Sequence, residues 1–258
     1  SPAAVAATLE PTGKWVVNFD DAQCVASRRY GDTTLVIKAP PLGEVVQLAL
    51  FTRGQVRAPE QAEGSLRIDG GPGLRLSALV FNAAEDRQMV HSVNLPLADF
   101  ARVRAAKRLE WRYMGANRDL ALTGMEPLAK VMDDCVANLR EVWNVRPTSE
   151  AEASRRPSSP IAVPARSRAS LATYVRSEDY PGVAIQQGQD GVVAFALLVN
   201  EQGRVADCTV VKTSGVAALD AQSCILLKQR ARFTPATDAA GTPVKDAVLG
   251  RIRWQIRG

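Results

Sequence analysis

The strongest constraint on the fold of this chain is a strict alternation of side chains close to its C-terminus. Within the segment of residues 247–257, apolar side chains alternate with polar ones from Arg251 onward: Ile252, Trp254 and Ile256, with Val248 in phase before them, against Arg251, Arg253, Gln255 and Arg257. Successive residues of a β-strand point to opposite faces of a sheet, so this pattern predicts a strand with one buried and one solvated face. Such a strand needs a hydrophobic layer on one side and presents a row of charges on the other.

The segments before this strand predict the rest of a small sheet. Residues 191–199 form an apolar run of strand length, which is typical of a central strand. A turn signal follows at 200–203, and residues 204–212 then predict the returning strand of a hairpin. Residues 216–230 are rich in apolar residues without Gly or Pro and predict a helix. We therefore expect a three-stranded antiparallel sheet with two helices on one face.

The same region contains a series of short motifs. They are Tyr180-Pro181, Gly191–Val199, Asn200–Val205, Thr213–Gly215, Leu219-Asp220, Arg232–Pro235 and Gly241–Val244. Together they resemble the C-terminal domain of TonB-family proteins, over about residues 171–258. The resemblance implies that the last strand receives a short extended segment of an outer-membrane transporter, called the TonB box, by strand addition. On this basis the predicted partner-binding residues are Tyr180, Pro181, Arg251, Arg253, Gln255 and Arg257.

The same fold permits a second interpretation. A soluble envelope protein can use this domain as a structural or homodimerising unit, in which two last strands pair edge to edge. The net charge of the chain is +5, so contact with an anionic cell-wall polymer is a further alternative. Nucleic acid is disfavoured, because RNA-binding sheets expose aromatic residues, whereas Phe233 and Trp254 are predicted core residues.

The sequence departs from a typical TonB protein in one respect. Such a protein begins with a transmembrane helix, but no apolar run here is long enough to span a bilayer. We expect either that a signal peptide or anchor is missing from this sequence or that the protein is a soluble relative. The predicted location is periplasmic or secreted.

The four cysteines support an oxidising compartment. They are Cys24, Cys135, Cys208 and Cys224. The predicted helix packs on the strand that holds Cys208, which favours a Cys208–Cys224 disulfide and leaves Cys24 to pair with Cys135. Four free thiols in a reducing compartment are the alternative. A zinc site is disfavoured because no Cys-x-x-Cys pair occurs.

A segment rich in Pro, Ser and Arg at residues 146–170 predicts a semi-flexible linker between two domains. The domain before it, residues 1–145, holds seven or so short apolar segments that predict strands. Helices are predicted near 97–106 and 127–142, the second with an apolar face formed by Leu128, Val131, Met132, Cys135, Leu139 and Val142. We expect a β-rich domain, sandwich-like or barrel-like, closed by a helix, and an α+β class for the whole chain. This domain resembles no family that we recognise.

An enzymatic function finds little support in the sequence. The chain has one histidine, His91, and its neighbour Ser92 points to the opposite face of the predicted strand. No nucleotide-binding loop or metal-binding histidine pair occurs. The sequence therefore predicts a non-enzymatic protein with no catalytic residues, no metal site and no cofactor.

Overall fold

The computed structural model describes residues 7–83, 87–146 and 160–256. It has the predicted α+β class, with a large antiparallel sheet in the N-terminal part and smaller sheets and a helix in the C-terminal part. The backbone divides into two compact units. The N-terminal unit comprises the described residues within 1–20, 24–39 and 45–134, and the C-terminal unit comprises the described residues within 21–23, 40–44 and 135–258.

The N-terminal unit is built on one nine-stranded antiparallel sheet. Its strands are β1 (Val16–Phe19), β2 (Cys24–Tyr30), β3 (Thr33–Ala39), β4 (Val45–Arg53), β5 (Glu60–Ile68), β6 (Leu74–Asn82), β7 (Gln88–Pro96), β8 (Arg108–Tyr113) and β9 (Ala116–Ala121). Their spatial order is β1-β2-β3-β4-β7-β6-β5-β8-β9. Helix α1 (Leu97–Ala105) connects β7 to β8, and helix α2 (Met125–Val142) follows β9, as the sequence predicts.

This sheet curls until its ends approach each other. The segment before β1 joins them, because Leu9 donates its N–H to the Asp119 carbonyl at 2.7 Å and Thr12 donates to the Arg29 carbonyl at 2.9 Å. The Tyr30 hydroxyl on β2 also donates to the Ala121 carbonyl on β9, at 3.0 Å. The arrangement is therefore barrel-like, with one curled sheet rather than two stacked layers.

The inner face of the curled sheet is tightly packed. Leu50, Leu66 and Trp111 are fully buried there. The ring of Tyr113 lies directly over Gly64, where a Cβ atom would come within 2.4 Å of the ring and of a backbone carbonyl. Only glycine fits this position, because protein interiors leave no room for an added methyl group.

Helix α2 buries most of its predicted apolar face. Leu128, Met132, Cys135 and Leu139 are buried, but Val131 and Val142 are each 40% exposed. The helical period of 3.6 residues places these two valines at the margin of the apolar stripe, which explains why the prediction was wrong for them.

The C-terminal unit contains the predicted three-stranded antiparallel sheet. The unit is formed by β10 (Arg166–Ser167), α3 (Gly182–Gln186), β11 (Gly191–Val199), β12 (Val205–Lys212), α4 (Ala217–Arg230), β13 (Phe233–Thr234), β14 (Ala236–Thr237), β15 (Pro243–Val244) and β16 (Asp246–Trp254). The sheet order is β12-β11-β16, so the apolar strand β11 is central, as its sequence predicts.

Part of the predicted linker belongs to this unit. Val163 exchanges two backbone hydrogen bonds with Thr237, at 3.0 and 2.9 Å. The short strand β10 pairs with β13, through Arg166 opposite Thr234. Residues 160–168 are therefore held by the C-terminal unit, whereas residues 147–159 of the predicted linker lie outside the described residues.

Helix α4 covers one face of the sheet and is joined to it covalently. Phe195 and Leu197 of β11 are fully buried in the core beneath it. A disulfide links Cys208 on β12 to Cys224 on α4, with 5.3 Å between their Cα atoms. This confirms the predicted pair. Cys24 and Cys135 are disulfide-bonded as well, which fits the prediction of an oxidising compartment.

Candidate docking edge

The outer side of β16 is the candidate site, and we call it the docking edge (Asp246–Trp254). On its inner side β16 pairs with β11 along its whole length, from Asp246 opposite Val199 to Trp254 opposite Gly191. Within the part of the chain that the structure describes, no other strand donates to or accepts from the backbone of β16. An edge strand of this kind carries backbone N–H and C=O groups that can pair with an added strand.

The opposite edge of the sheet is in a different state. The segment of residues 40–44 lies against β12, where Glu44 donates its N–H to the Val211 carbonyl at 2.8 Å. Gly43 approaches so closely that an added Cβ would lie 3.2 Å from the Val210 carbonyl oxygen. The protein therefore covers part of the β12 edge with its own chain, and the contrast makes β16 the candidate edge for a partner.

The two faces of β16 differ as the sequence alternation predicts. Ile252 and Trp254 are buried beneath α4. Gly250 lies between them and Val248 along the strand, and it allows the Phe195 ring to approach its backbone, since a Cβ would meet that ring at 2.7 Å. The strand is thereby fixed against the core on this face.

On the other face of β16, the side chains change from apolar to cationic toward the C-terminal end of the strand. Leu249 is 64% exposed, and Arg251 and Arg253 are exposed beyond it. Ala194 on the central strand lies between Arg251 on β16 and Lys212 on β12. Lys212 therefore extends the cationic surface across the sheet. Neither arginine takes part in an ion pair with any described residue, and both can meet a carboxylate.

The C-terminal end of β16 is held by side chains from the start of the domain. The Trp254 indole donates to the Ser223 hydroxyl at 2.8 Å, and the Tyr180 ring packs edge-on against Trp254 with 5.2 Å between centroids. The Tyr180 hydroxyl donates to the Gln189 carbonyl at 2.7 Å. Burial raises the pKa of Tyr180 to about 12, so the phenol stays neutral at physiological pH. Asp190 accepts the N–H of Ile256 at 2.9 Å, which fixes the chain directly after β16.

The structure thus separates the predicted partner-binding residues into two groups. Arg251, Arg253 and Gln255 are exposed on or just after the docking edge. Tyr180 and Pro181 are half-buried, and Tyr180 supports the strand through Trp254. Arg257 lies outside the described residues. A direct partner contact of any of these residues stays a prediction.

An ion pair that the sequence did not reveal holds the segment before α3. Arg230 at the end of α4 binds Asp179 through two contacts, Nη1–Oδ2 at 2.5 Å and Nη2–Oδ1 at 2.8 Å. The same Nη1 donates to the Tyr174 carbonyl at 3.1 Å. Hydrogen bonding to Arg230 lowers the pKa of Asp179 below its usual value. The pair fixes the segment that ends in Tyr180, and no local sequence pattern announces a contact between residues so far apart.

The motif Thr213–Gly215 has a structural role. Asp220 is buried in the first turn of α4 and accepts the Ser214 N–H at 2.9 Å and the Ser214 hydroxyl at 2.7 Å. The Thr213 hydroxyl donates to the same carboxylate. These bonds tie the end of β12 to the start of the helix, so they account for the residue types of the motif.

His91 lies in the interior of the N-terminal sheet and is fully buried. Its Nε2 is 3.2 Å from the Met114 carbonyl. Burial lowers its pKa, which keeps the imidazole neutral. In the described residues no group of three or more metal-ligating side chains comes together. None of the helices in these residues combines the length and the apolar character needed to span a membrane.

Comparison with known families identifies the domain that carries the docking edge. Residues 176–256 match the family described as Gram-negative bacterial TonB protein C-terminal. The chain carries a TonB C-terminal domain. No curated protein and no solved structure matches the chain. The family match covers α3, α4, the three-stranded sheet and the docking edge, and the N-terminal sheet lies outside it.

The match also gives a general role. The TonB C-terminal domain is a non-enzymatic protein-interaction domain, and its presence at residues 176–256 supports a role in envelope and transport interactions. The disulfides fit an extracytoplasmic location, in agreement with the envelope location that the family indicates.

Proposed function

We propose that this protein is a non-enzymatic periplasmic protein whose TonB C-terminal domain binds the TonB box of an outer-membrane transporter. The bound segment is extended and adds to the docking edge as a fourth strand. The observation that carries the proposal is the difference between the two edges, since residues 40–44 cover part of the β12 edge, while the outer side of β16 pairs with no strand among the described residues.

The charge on the edge supports the same partner. Arg251 and Arg253 point away from the core, so a docked strand meets them with alternate side chains. Cationic groups at the rim of an interface accelerate association with acidic partners and select their register more than they add affinity. Backbone hydrogen bonds then supply the larger part of the affinity.

The direct test uses the full chain and synthetic peptides from the extended periplasmic segment of an outer-membrane transporter. Binding is measured by fluorescence anisotropy with a series of peptides, each N-methylated at one backbone amide. Strand addition uses every second amide, so methylation should abolish binding at alternate positions and leave it unchanged between them. Equal tolerance at all positions would show that the peptide does not join the sheet.

A rival function is a structural or homodimerising protein that uses the same edge for a second copy. The described residues give no support for a homodimer. Sedimentation velocity on the full chain separates the two functions. A monomer that binds the transporter peptide supports our proposal, whereas a dimer that the peptide does not dissociate supports the rival.

Contact with cell-wall polymer is a third candidate, based on the positive charge. Co-sedimentation of the full chain with purified peptidoglycan tests it. The variants Arg251→Gln and Arg253→Gln should release the protein from the polymer if the docking edge is responsible. Arg204→Gln, at an exposed arginine directly after the turn of residues 200–203, is the matched control.

A further inference from the structure

A groove opens beside the first half of β16 and is built largely by residues outside the family match. Its volume is about 430 Å³, and its walls include Leu42, Val145, Arg146, Pro164, Val248 and Leu249. All of these residues belong to the C-terminal unit. The family match begins at residue 176, so Leu42, Val145, Arg146 and Pro164 lie outside the matched domain.

The groove is suited to an apolar side chain. Most of its walls are aliphatic, and its volume lies within the range of roughly 300–1,000 Å³ that is typical of small-ligand sites. Leu249 is 64% exposed at its rim. Covering such a side chain with another apolar group removes both from water, which is favourable.

The groove is continuous with the cationic part of the docking edge. Leu249, Arg251 and Arg253 lie at alternate positions of one strand, and so they share one face. A strand that pairs with β16 places its own alternate residues beside these three, because cross-strand neighbours stand directly opposite each other. The first position is apolar and the next two are cationic.

We propose that this groove and the two arginines together select one class of peptide, with an apolar residue and two acidic residues at alternate positions. This inference rests on the proposed function and adds which peptide sequences the docking edge selects. The occupant is an extended partner segment of the pattern Leu-x-Glu-x-Glu if the added strand runs parallel to β16, and Glu-x-Glu-x-Leu if it runs antiparallel. Leu42 adds to this selection a residue from outside the matched domain.

The test uses the full chain and threonine-based peptides as long as β16. One peptide carries Leu-Thr-Glu-Thr-Glu, and a second carries the reverse order. Control peptides replace Leu by Ser or both Glu by Gln. Isothermal titration should show at least about tenfold tighter binding of one of the two orders than of its Ser control, which corresponds to about 1.4 kcal/mol. The preferred order reports the direction of the added strand.

Variants of the protein then locate the selection. Leu249→Ser and Leu42→Ser should each remove the preference for Leu over Ser in the peptide, while Ile225→Ser, at an aliphatic residue exposed on α4, should retain it. Arg251→Gln with Arg253→Gln should remove the preference for Glu over Gln, and Arg204→Gln should retain it. Circular dichroism of each variant checks that the fold is intact, and the exposure of Leu249 makes its variant the decisive one.

The outcomes separate this inference from the proposed function. If the transporter segment binds the docking edge but Leu249→Ser leaves the peptide preference unchanged, the groove is not a selecting site and the inference is overturned alone. If the transporter segment and both patterned peptides fail to bind, the proposed function fails with it. Loss of the Leu preference in Leu249→Ser and its retention in Ile225→Ser support the inference.

Discussion

The N-terminal and C-terminal sheets differ in how far the edges of their outer strands are covered by the chain. In the N-terminal sheet, the segment before β1 bonds to β9 at Leu9 and to β2 at Thr12, so that sheet uses its own chain to join its ends. In the C-terminal sheet, residues 40–44 cover part of β12, but β16 pairs only with β11 in the described residues. Closure protects a sheet from unwanted pairing, whereas an open edge is available to a partner.

The difference shows how a sheet edge can stay open to a partner without pairing with a second copy of the same protein. Arg251 and Arg253 place charge on the open edge, and charge discourages pairing with a second identical strand. An acidic partner segment gains from the same charges. In our proposal the side chains of the edge make it selective, while its backbone stays available to any strand that meets them.

The largest expected effect concerns the covalent link that stabilises the open sheet. Replacing Cys208 and Cys224 by Ser should lower the free energy of unfolding by roughly 3 kcal/mol, because the closed loop no longer restricts the unfolded chain. Denaturant unfolding under non-reducing conditions measures the change. An unaltered midpoint in the double variant would show that packing of α4 alone holds the open sheet together.

The second prediction tests how tightly the curled sheet is packed. In Gly64→Ala the added methyl group would meet the Arg112 carbonyl and the Tyr113 ring at 2.4 Å. Overpacking of this kind costs about 1–3 kcal/mol. Thermal unfolding of this variant is compared with Gly13→Ala, where nothing lies within 4 Å. Equal stability of the two variants would contradict the packing described for the inner face.

The third prediction opens the edge that the protein covers. Glu44→Pro removes the N–H that bonds to Val211, and the loss should be about 0.5–1.5 kcal/mol. Glu44→Ala keeps the backbone donor and serves as the control. Chemical unfolding measures the loss, and sedimentation velocity of the Pro variant reports whether the exposed β12 edge now associates. If both variants unfold alike, the Glu44 contact does not protect β12.

The smallest effect is the pH dependence from Asp179. Its pKa is lowered in the folded protein by hydrogen bonding to Arg230, so its contribution to stability is present above its usual pKa and is lost as the pH falls through the folded pKa. Thermal melts below pH 4 should fall less steeply for Asp179→Asn than for the parent. Glu178→Gln, at an exposed neighbour, should keep the parental slope, and identical slopes in all three proteins would show that Asp179 does not cause the pH dependence.

Much of the C-terminal unit could be predicted because its signals are local. The alternation around Arg251 and Arg253 gives a strand with two unlike faces, and the apolar run of β11 gives its central position. The Cys208–Cys224 disulfide follows from a helix that packs on the strand before it. Each of these predictions depends on residues that are close in sequence, where the period of the side chains reports the backbone conformation.

Other features could not be predicted, because they join distant parts of the chain. The pairing of Val163 with Thr237 places the end of the predicted linker in the C-terminal unit, although its composition is that of a linker. The Arg230–Asp179 ion pair likewise has no periodic pattern that would reveal it. In the N-terminal sheet the sequence indicated several strands, but their order and the junction at Leu9 depend on pairing that no single strand encodes.

The sequence alone determined the α+β class, the three strands of the C-terminal sheet, the disulfide between Cys208 and Cys224 and the resemblance to the TonB C-terminal domain. Only the tertiary structure decided which edge of that sheet is available. Both β12 and β16 have the side-chain pattern of an outer strand, but Glu44, more than 160 positions before Val211, covers one and not the other. Every residue except proline offers the same backbone hydrogen-bonding groups. The residues of a strand therefore do not reveal whether its outer edge is covered, and only the fold decides this.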